Sequence, residues 1–296
     1  MGLHVNNLVK TFGETRALDG ISFQVNNGET FGLLGRNGAG KTTTIRILLK
    51  IIESDEGEVL FNGKDIRKTH QRFGYLPEER GLYLNCSVCD QLLYLASLHG
   101  ISEKDASKRL KVFLEKFGIP EYYKKKIREL SKGNKQKIQL IAAMIHDPDV
   151  IILDEPFSGL DPVNVQLFKD IILELKQAKK TIIFSSHRME DVEEICDHVI
   201  LLKNGREVLN GSIPQIKQKF SKNLVAIRTD QDVRNIAEAL DMQVQSTRDG
   251  TYEINYSSEA CVQKLFKQLI EKGLSLQHFE FKIPSLHEIF LTELGD

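Results

Sequence analysis

Phe31-Gly32-Leu33-Leu34-Gly35-Arg36-Asn37-Gly38-Ala39-Gly40-Lys41-Thr42-Thr43-Thr44-Ile45 decides how the rest of the chain is read. Residues 35–42 fit G-x-x-x-x-G-K-[ST], a loop that joins a strand to a helix. The apolar run 31–34 leads in, and a helix with Ile45, Leu48, Leu49 and Ile52 on one face leads out. Glycines let backbone N–H groups turn inward on phosphate oxygens, which side chains would obstruct. The helix N-terminus adds the positive end of its dipole. Lys41 is spaced to reach β- and γ-phosphates, and the Thr42 hydroxyl to ligate Mg²⁺. Gly35, Arg36, Asn37, Gly38, Ala39, Gly40, Lys41, Thr42 and Thr43 are therefore the candidate nucleotide cradle. A glycine-rich turn that binds nothing would not need the strand, the lysine and the helix together.

Outward from this loop, Asp149-Val150-Ile151-Ile152-Leu153-Asp154-Glu155 reads as an apolar strand delivering two carboxylates at its C-terminal end. Ligands of open α/β sheets bind there. Asp154 is the candidate Mg²⁺ holder, directly or through water. Successive strand side chains point apart, so Glu155 is free to face the γ-phosphate and polarise a water. Alone, this pair would be an ordinary acidic strand end; beside a phosphate loop it is not.

The chain has 296 residues, 41% hydrophobic and 27% charged, the balance of a folded protein of one large or two ordinary domains. Forty basic and 41 acidic residues leave a formal charge of −1, which argues against a mainly electrostatic nucleic-acid binder. The longest apolar stretches, 141–145 and 150–153, fall far short of the ~20 residues of a spanning helix. Met-Gly-Leu-His-Val-Asn-Asn at the start reads as strand rather than signal peptide, so the cytoplasm is expected. Cys86 and Cys89 form a Cys-x-x-Cys, but no second such pair or His-x-x-x-His accompanies them. Two thiols in the first turn of a helix is the preferred reading over zinc or redox chemistry. His4, His70, His99, His146, His198, His278 and His287 show no mutual metal spacing, and the run 124–126 with Arg128 reads as a solvated face.

Short strand-like runs (3–9, 21–25 and 30–34) open the chain, and Asn62-Gly63 marks a hairpin. Residues 17–20 and Asn204-Gly205 read as turns. From about 87 to 145 the pattern is helical, with Ser131 able to cap a helix whose face is Ile138, Ile141, Ala142 and Ile145. Continuous β-branched runs at 150–153, 181–184 and 199–202 then alternate with helices, one of which starts at Pro162. That is a parallel sheet buried on both faces. Near Ser221 the pattern becomes βαββαβ, with a turn at Asp249-Gly250, the order of a ferredoxin-like unit. Pro214, Lys217, Lys219 and Lys222 interrupt the apolar pattern between the two parts.

Together these motifs resemble the nucleotide-binding subunit of ABC transporters over residues 1–211. A phosphate loop alone would indicate only a P-loop NTPase; the ordered set is specific. Leu130-Ser131-Lys132-Gly133-Asn134 resembles the family's Leu-Ser-Gly-Gly-Gln signature, and Ser158-Gly159-Leu160-Asp161 its D-loop. His187 after the run 181–184 is similar to the switch histidine, and Phe12 sits where the family stacks an aromatic on adenine. The resemblance implies a P-loop cassette over 1–215 with a parallel core sheet, an antiparallel β subdomain and a helical subdomain at about 85–147. A small ferredoxin-like α+β domain is expected over 222–296. The implied cofactors are ATP and Mg²⁺, and the implied catalytic residues are Glu155, His187 and Lys41. The metal set is Thr42, Asp154 and Glu78, with Phe12, Ser131, Gly133 and Asp161 added to the nucleotide contacts.

The implied mechanism pairs two cassettes head to tail, as a homodimer or paired heterodimer. Ser131 and the Gly133 N–H of one would close on the γ-phosphate held by the other, and ATP acts as removable glue. The implied partner is an integral membrane permease, with the chain peripheral on the cytoplasmic side of the membrane. No nucleic acid is expected. Departures are Lys132 and Asn134 in the signature, Arg36 for a frequent proline, and Glu78 where the wider family has glutamine. Leu76-Pro77-Glu78-Glu79-Arg80-Gly81-Leu82-Tyr83 and the tail Pro284-Ser285-Leu286-His287-Glu288-Ile289-Phe290 narrow the resemblance to ATPases of ABC-2-type sodium- and drug-efflux systems. A soluble ABC ATPase acting on nucleic acid or the ribosome competes, but usually carries a long coiled-coil insertion or two cassettes. A nucleotide-gated module without turnover competes less well, because Lys41, Asp154, Glu155 and His187 are all present.

Overall fold

The computed structural model opens with two half-buried strands, β1 (Gly2–Phe12) and β2 (Thr15–Asn26). The model describes residues 2–69, 72–79, 81–221, 223–229, 231–246 and 251–295. His70, Arg80, Lys222 and the Asp249-Gly250 turn lie outside the described residues. Buried at every position, β3 (Thr30–Gly35) runs into the phosphate loop and α1 (Lys41–Leu48). Next come β4 (Glu56–Phe61) and β5 (Lys64–Asp65), joined by Asn62 and Gly63, both at positive φ as a two-residue hairpin turn requires. An antiparallel sheet in the order β2-β1-β4-β5 results.

The helical segment contains α2 (Val88–Leu98), α3 (Glu103–Lys116) and α4 (Lys132–Met144), preceded by the short strand β6 (Phe73–Leu76). Ser87, Ser102 and Ser131 cap the three helices, each accepting an N–H from the residue three positions on. After them alternate β7 (Val150–Asp154), α5 (Pro162–Gln177), β8 (Thr181–Ser186), α6 (Met189–Ile195), β9 (His198–Lys203) and β10 (Arg206–Ser212). The central sheet has the order β10-β9-β3-β8-β7-β6. Its strands pair in parallel except β10, an antiparallel edge. Apolar residues of α1, the antiparallel sheet and β3 form one core, with Leu33, Ile45, Leu48 and Ile183 fully enclosed.

Residues 17–20 are not a free turn. They lie within β2, where the pairing with β1 shifts register. Gly20 at φ +80° absorbs a bend that sequence alone reads as a chain reversal. The lysine-rich stretch read as a boundary is largely helical, as α7 (Ile213–Phe220). His99 and His146, distant in sequence, stack with ring centroids 3.7 Å apart. Burial first, then the charge of His99, pulls the His146 pKa down to about 4.

The chain divides into two compact units, Met1–Ile213 and Pro214–Asp296. In the second lie β11 (Leu224–Thr229), α8 (Arg234–Glu238), β12 (Gln243–Ser246), β13 (Thr251–Asn255), α9 (Glu259–Glu271), β14 (Leu276–Lys282) and α10 (Leu286–Leu294). Its antiparallel sheet has the order β12-β13-β11-β14, around a core of Val225, Ile227, Ile254, Val262, Leu265 and Leu269.

Candidate active site

The site is assembled where parallel strands end. At the C-terminus of β3 the chain turns through residues 36–40 into α1. Gly40, the N-cap of α1, has φ +106° and carries no capping side chain. A Cβ on Gly40 would lie 2.7 Å from Leu18 Cδ2 and 2.8 Å from the Ala17 carbonyl oxygen. No acidic residue occupies the first turn of α1, so its free N–H groups and positive dipole end face the loop unopposed. Gly40→Ala is therefore expected to lower unfolding free energy by roughly 1–3 kcal/mol through left-handed strain. Nucleotide affinity should fall with it. Denaturant melts and an ATP titration check this; wild-type values in both would show the loop tolerates a side chain.

Lys41 is buried, and its ammonium donates to the carbonyls of Gly35 at 2.7 Å and Arg36 at 3.4 Å. The same Nζ lies 3.7 Å from Glu155 Oε1. Thr42 Oγ1 donates to Asp154 Oδ2 at 3.5 Å, and Ser185 Oγ donates to Asp154 Oδ1 at 2.5 Å. Burial raises the Asp154 pKa above its ordinary value; the Ser185 hydrogen bond opposes the rise, while the charges of Glu78 and Glu155 add to it. Tyr75 on β6 is pushed up to about 12 by burial and then by the charge of Asp154.

Glu155 leaves the end of β7 at φ +47°, a left-handed turn uncommon for a residue with a side chain. Its N–H donates to Ser185 Oγ at 2.9 Å and to the Ser185 carbonyl at 3.2 Å. Oε2 lies 2.8 Å from His187 Nδ1; with Glu155 ionised the carboxylate only accepts, so Nδ1 carries the hydrogen. Among the described residues Oε1 has no hydrogen-bond partner although it is buried. Such an atom needs a proton donor from a ligand or water.

One pocket of about 370 Å³ gathers these groups, lined by Ala17, residues 36–43, Glu78, Asp154 and Glu155. Every loop residue of the candidate cradle except Gly35 lines it, as does the whole proposed metal set. Among the described residues no group of three His, Cys, Asp or Glu side chains is arranged to hold a metal ion. Mg²⁺ is usually held by one or two carboxylates together with substrate phosphates and water. Asp154 Oδ2, which Ser185 does not engage, and Thr42 Oγ1 beside it are a fitting donor pair for such an ion.

Phe12, Ser131, Gly133 and Asp161 do not line this pocket. Phe12 is half exposed at the end of β1, with the Lys10 ammonium 5.5 Å from its ring centroid. Ser131 accepts the Asn134 N–H at 3.3 Å, and Asp161 caps α5 through Asn164 N at 3.0 Å. The signature and D-loop instead touch each other. Lys132 Nζ lies 2.2 Å from where a Cβ on Gly159 would sit, and the corresponding point on Gly133 is 3.7 Å from Leu160 Cδ2. Sequence reading missed Ala17 and Ser185 altogether. The signal for Ser185 was the parallel register that sets it opposite Asp154.

A glycine-rich loop between strand and helix, facing carboxylates at the end of β7, the parallel strand one beyond β3's neighbour β8, defines a P-loop nucleotide-binding cassette. More particularly, the ABC transporter family matches residues 18–158. The family described as "ATP-binding protein DrrA1-3-like, C-terminal domain" matches 211–293. The chain is 45% identical to the ABC transporter ATP-binding protein YhaQ of Bacillus subtilis (strain 168), over 99% of this chain and 98% of that one. It is 35% identical to the ABC transporter ATP-binding protein NatA of the same strain, over 75% of this chain and 93% of that one. A solved ATP-binding subunit of an ABC transporter matches with a TM-score of 0.69 at 31% identity, covering 74% of this chain and 93% of that one. The chain belongs to the ATP-binding proteins of ABC transporters and is an ATPase.

Proposed function

We propose that this ATPase powers export through a separately encoded membrane permease, working as a pair of cassettes on the cytoplasmic side of the membrane. No described helix is long and apolar enough to cross a membrane, so the transport path would belong to a partner. In this reading Lys41 and the N–H groups of residues 36–43 bind the phosphates. Thr42 and Asp154 would hold Mg²⁺, which when bound would neutralise phosphate charge. Glu155 takes a proton from the attacking water through its unpartnered Oε1, and His187 fixes the other carboxylate oxygen.

One observation carries the paired arrangement. Ser131 and Gly133 lie outside the pocket that holds Lys41 and Glu155, so a nucleotide bound there needs a second cassette to bring a signature helix to it. Ser131 and the Gly133 N–H of that second chain would complete the γ-phosphate cage, Asp161 would sit at the seam, and Phe12 would meet the adenine. Closure would follow ATP, and opening would follow hydrolysis.

Glu78 is proposed to couple the pocket to the permease. It lines the pocket beside Asp154 and Glu155 and follows β6 directly, at the entry to the helical segment. A carboxylate there is at least as good a Mg²⁺ ligand as an amide. Glu78→Ala should damage permease-stimulated ATP hydrolysis more than basal hydrolysis, and Glu78→Gln should be milder. Phosphate release from both variants, alone and with the copurified permease in vesicles, is the test. Wild-type rates for Glu78→Ala in both settings would move the coupling role elsewhere, with Glu79 the next candidate.

A further inference from the structure

The geometry points to Ser185 as the positioning residue that holds the two carboxylates after β7 in separate roles, an inference that rests on the ATPase site described above. Ser185 is fully buried near the end of β8, in register with Asp154. Its hydroxyl has one proton to give and lone pairs to receive. The Glu155 N–H can only donate, so the hydroxyl accepts it at 2.9 Å and gives its own proton to Asp154 Oδ1 at 2.5 Å. One atom thus ties both residues to the neighbouring strand.

Each tie has a consequence for chemistry. At Asp154, one oxygen is occupied by Ser185, leaving Oδ2 as the one directed to Thr42 Oγ1. The carboxylate is thereby held in a single orientation toward the cation position. At Glu155, the hydrogen bond anchors a left-handed residue at φ +47°, a conformation that persists only when the surroundings over-determine it. That turn carries Oε2 to His187 and Oε1 to within 3.7 Å of Lys41. Without the hydroxyl, the Glu155 N–H keeps only the longer bond to the Ser185 carbonyl, and Asp154 is free to rotate.

A buried serine that merely fills space would behave differently, and the same strand offers the comparison. Thr181 opens β8, is 4% exposed, and accepts the Gly28 N–H at 3.0 Å. It makes the same kind of bond, but its partners are Gly28 and Asp149 rather than Asp154 and Glu155.

The full-length chains with Ser185→Ala and Thr181→Ala are compared with wild type by phosphate release against ATP and against Mg²⁺, and by binding of a fluorescent ATP analogue in EDTA. For Ser185→Ala the expected result is kcat about tenfold or more lower with KM for ATP within about threefold, the pattern of a lost transition-state interaction. The Mg²⁺ half-saturation should rise at least about threefold, while analogue binding in EDTA stays within about twofold. Thr181→Ala should lower the melting temperature and leave kcat and the Mg²⁺ dependence at wild-type values. Ser185→Ala with wild-type kcat and Mg²⁺ dependence would overturn the inference, as would equal losses in Thr181→Ala. If the alanine protein does not fold, Ser185→Cys, close in size and a weaker donor, carries the same comparison. Glu155→Gln measured alongside keeps the two levels apart. Normal turnover there would remove the site reading itself, whereas normal turnover in Ser185→Ala alone removes only the positioning role.

Discussion

Glu155→Gln is expected to bind ATP normally and to hydrolyse it about 10²–10⁴-fold more slowly, the usual cost of losing a general base. The amide is isosteric, so the backbone bonds to Ser185 persist and His187 can still meet an oxygen at the Oε2 position. What disappears is the basic oxygen that no hydrogen bond engages among the described residues, Oε1, and with it the acceptor for the water's proton. The lost charge also releases Lys41 from its partner 3.7 Å away, which favours phosphate binding rather than opposing it. Binding and turnover should therefore separate in this variant. Phosphate release together with an ATP titration would show it, and near-normal turnover would sink the assignment of Glu155.

Lys41→Ala should act on both quantities at once. The Lys41 ammonium donates to the Gly35 carbonyl at 2.7 Å and lies 3.7 Å from the Glu155 carboxylate, whose charge it shields. With nucleotide present it is the cation the loop directs at the β- and γ-phosphates. Loss of one such preorganised donor typically costs about 10²–10³-fold in turnover, and Glu155 would add unshielded negative charge beside the phosphates. Truncating a buried side chain also removes its hydrogen bonds to the Gly35 and Arg36 carbonyls, so melting curves belong beside the kinetics. A Lys41→Ala chain that folds, binds MgATP with wild-type affinity and turns it over at the wild-type rate would mean the loop has been misread.

Most of the central sheet was legible because its strands carry continuous apolar runs, as in β3, β7 and β8, each buried at every position. The phosphate loop was legible because its chemistry is local, a spacing of glycines, a lysine and a threonine. Edge elements were not. The strand β6 has four residues with a glycine among them, and β10 is a mostly polar antiparallel edge, so neither shows the pattern of a buried strand. The tail helix α10 was met only as a motif, although Ser285 and Glu288 form a capping box at its start. Residues 17–20 misled because a bulged strand and a turn use the same small and polar residues. Ser185 was invisible for a different reason: its role depends on which residue of β7 it faces. That register is a tertiary fact which no spacing within β8 encodes.

In the proposed pair, ATP held at one phosphate loop is enclosed by the signature helix of a second cassette. Light scattering on Glu155→Gln, with and without MgATP, tests it most directly, because hydrolysis no longer erases the bound state. The scattering mass should shift from the 33.6 kDa of one chain to twice that value on adding MgATP, a shift abolished when Lys41→Ala is combined with it. A Glu155→Gln protein that has bound ATP and still scatters as a single chain would contradict it.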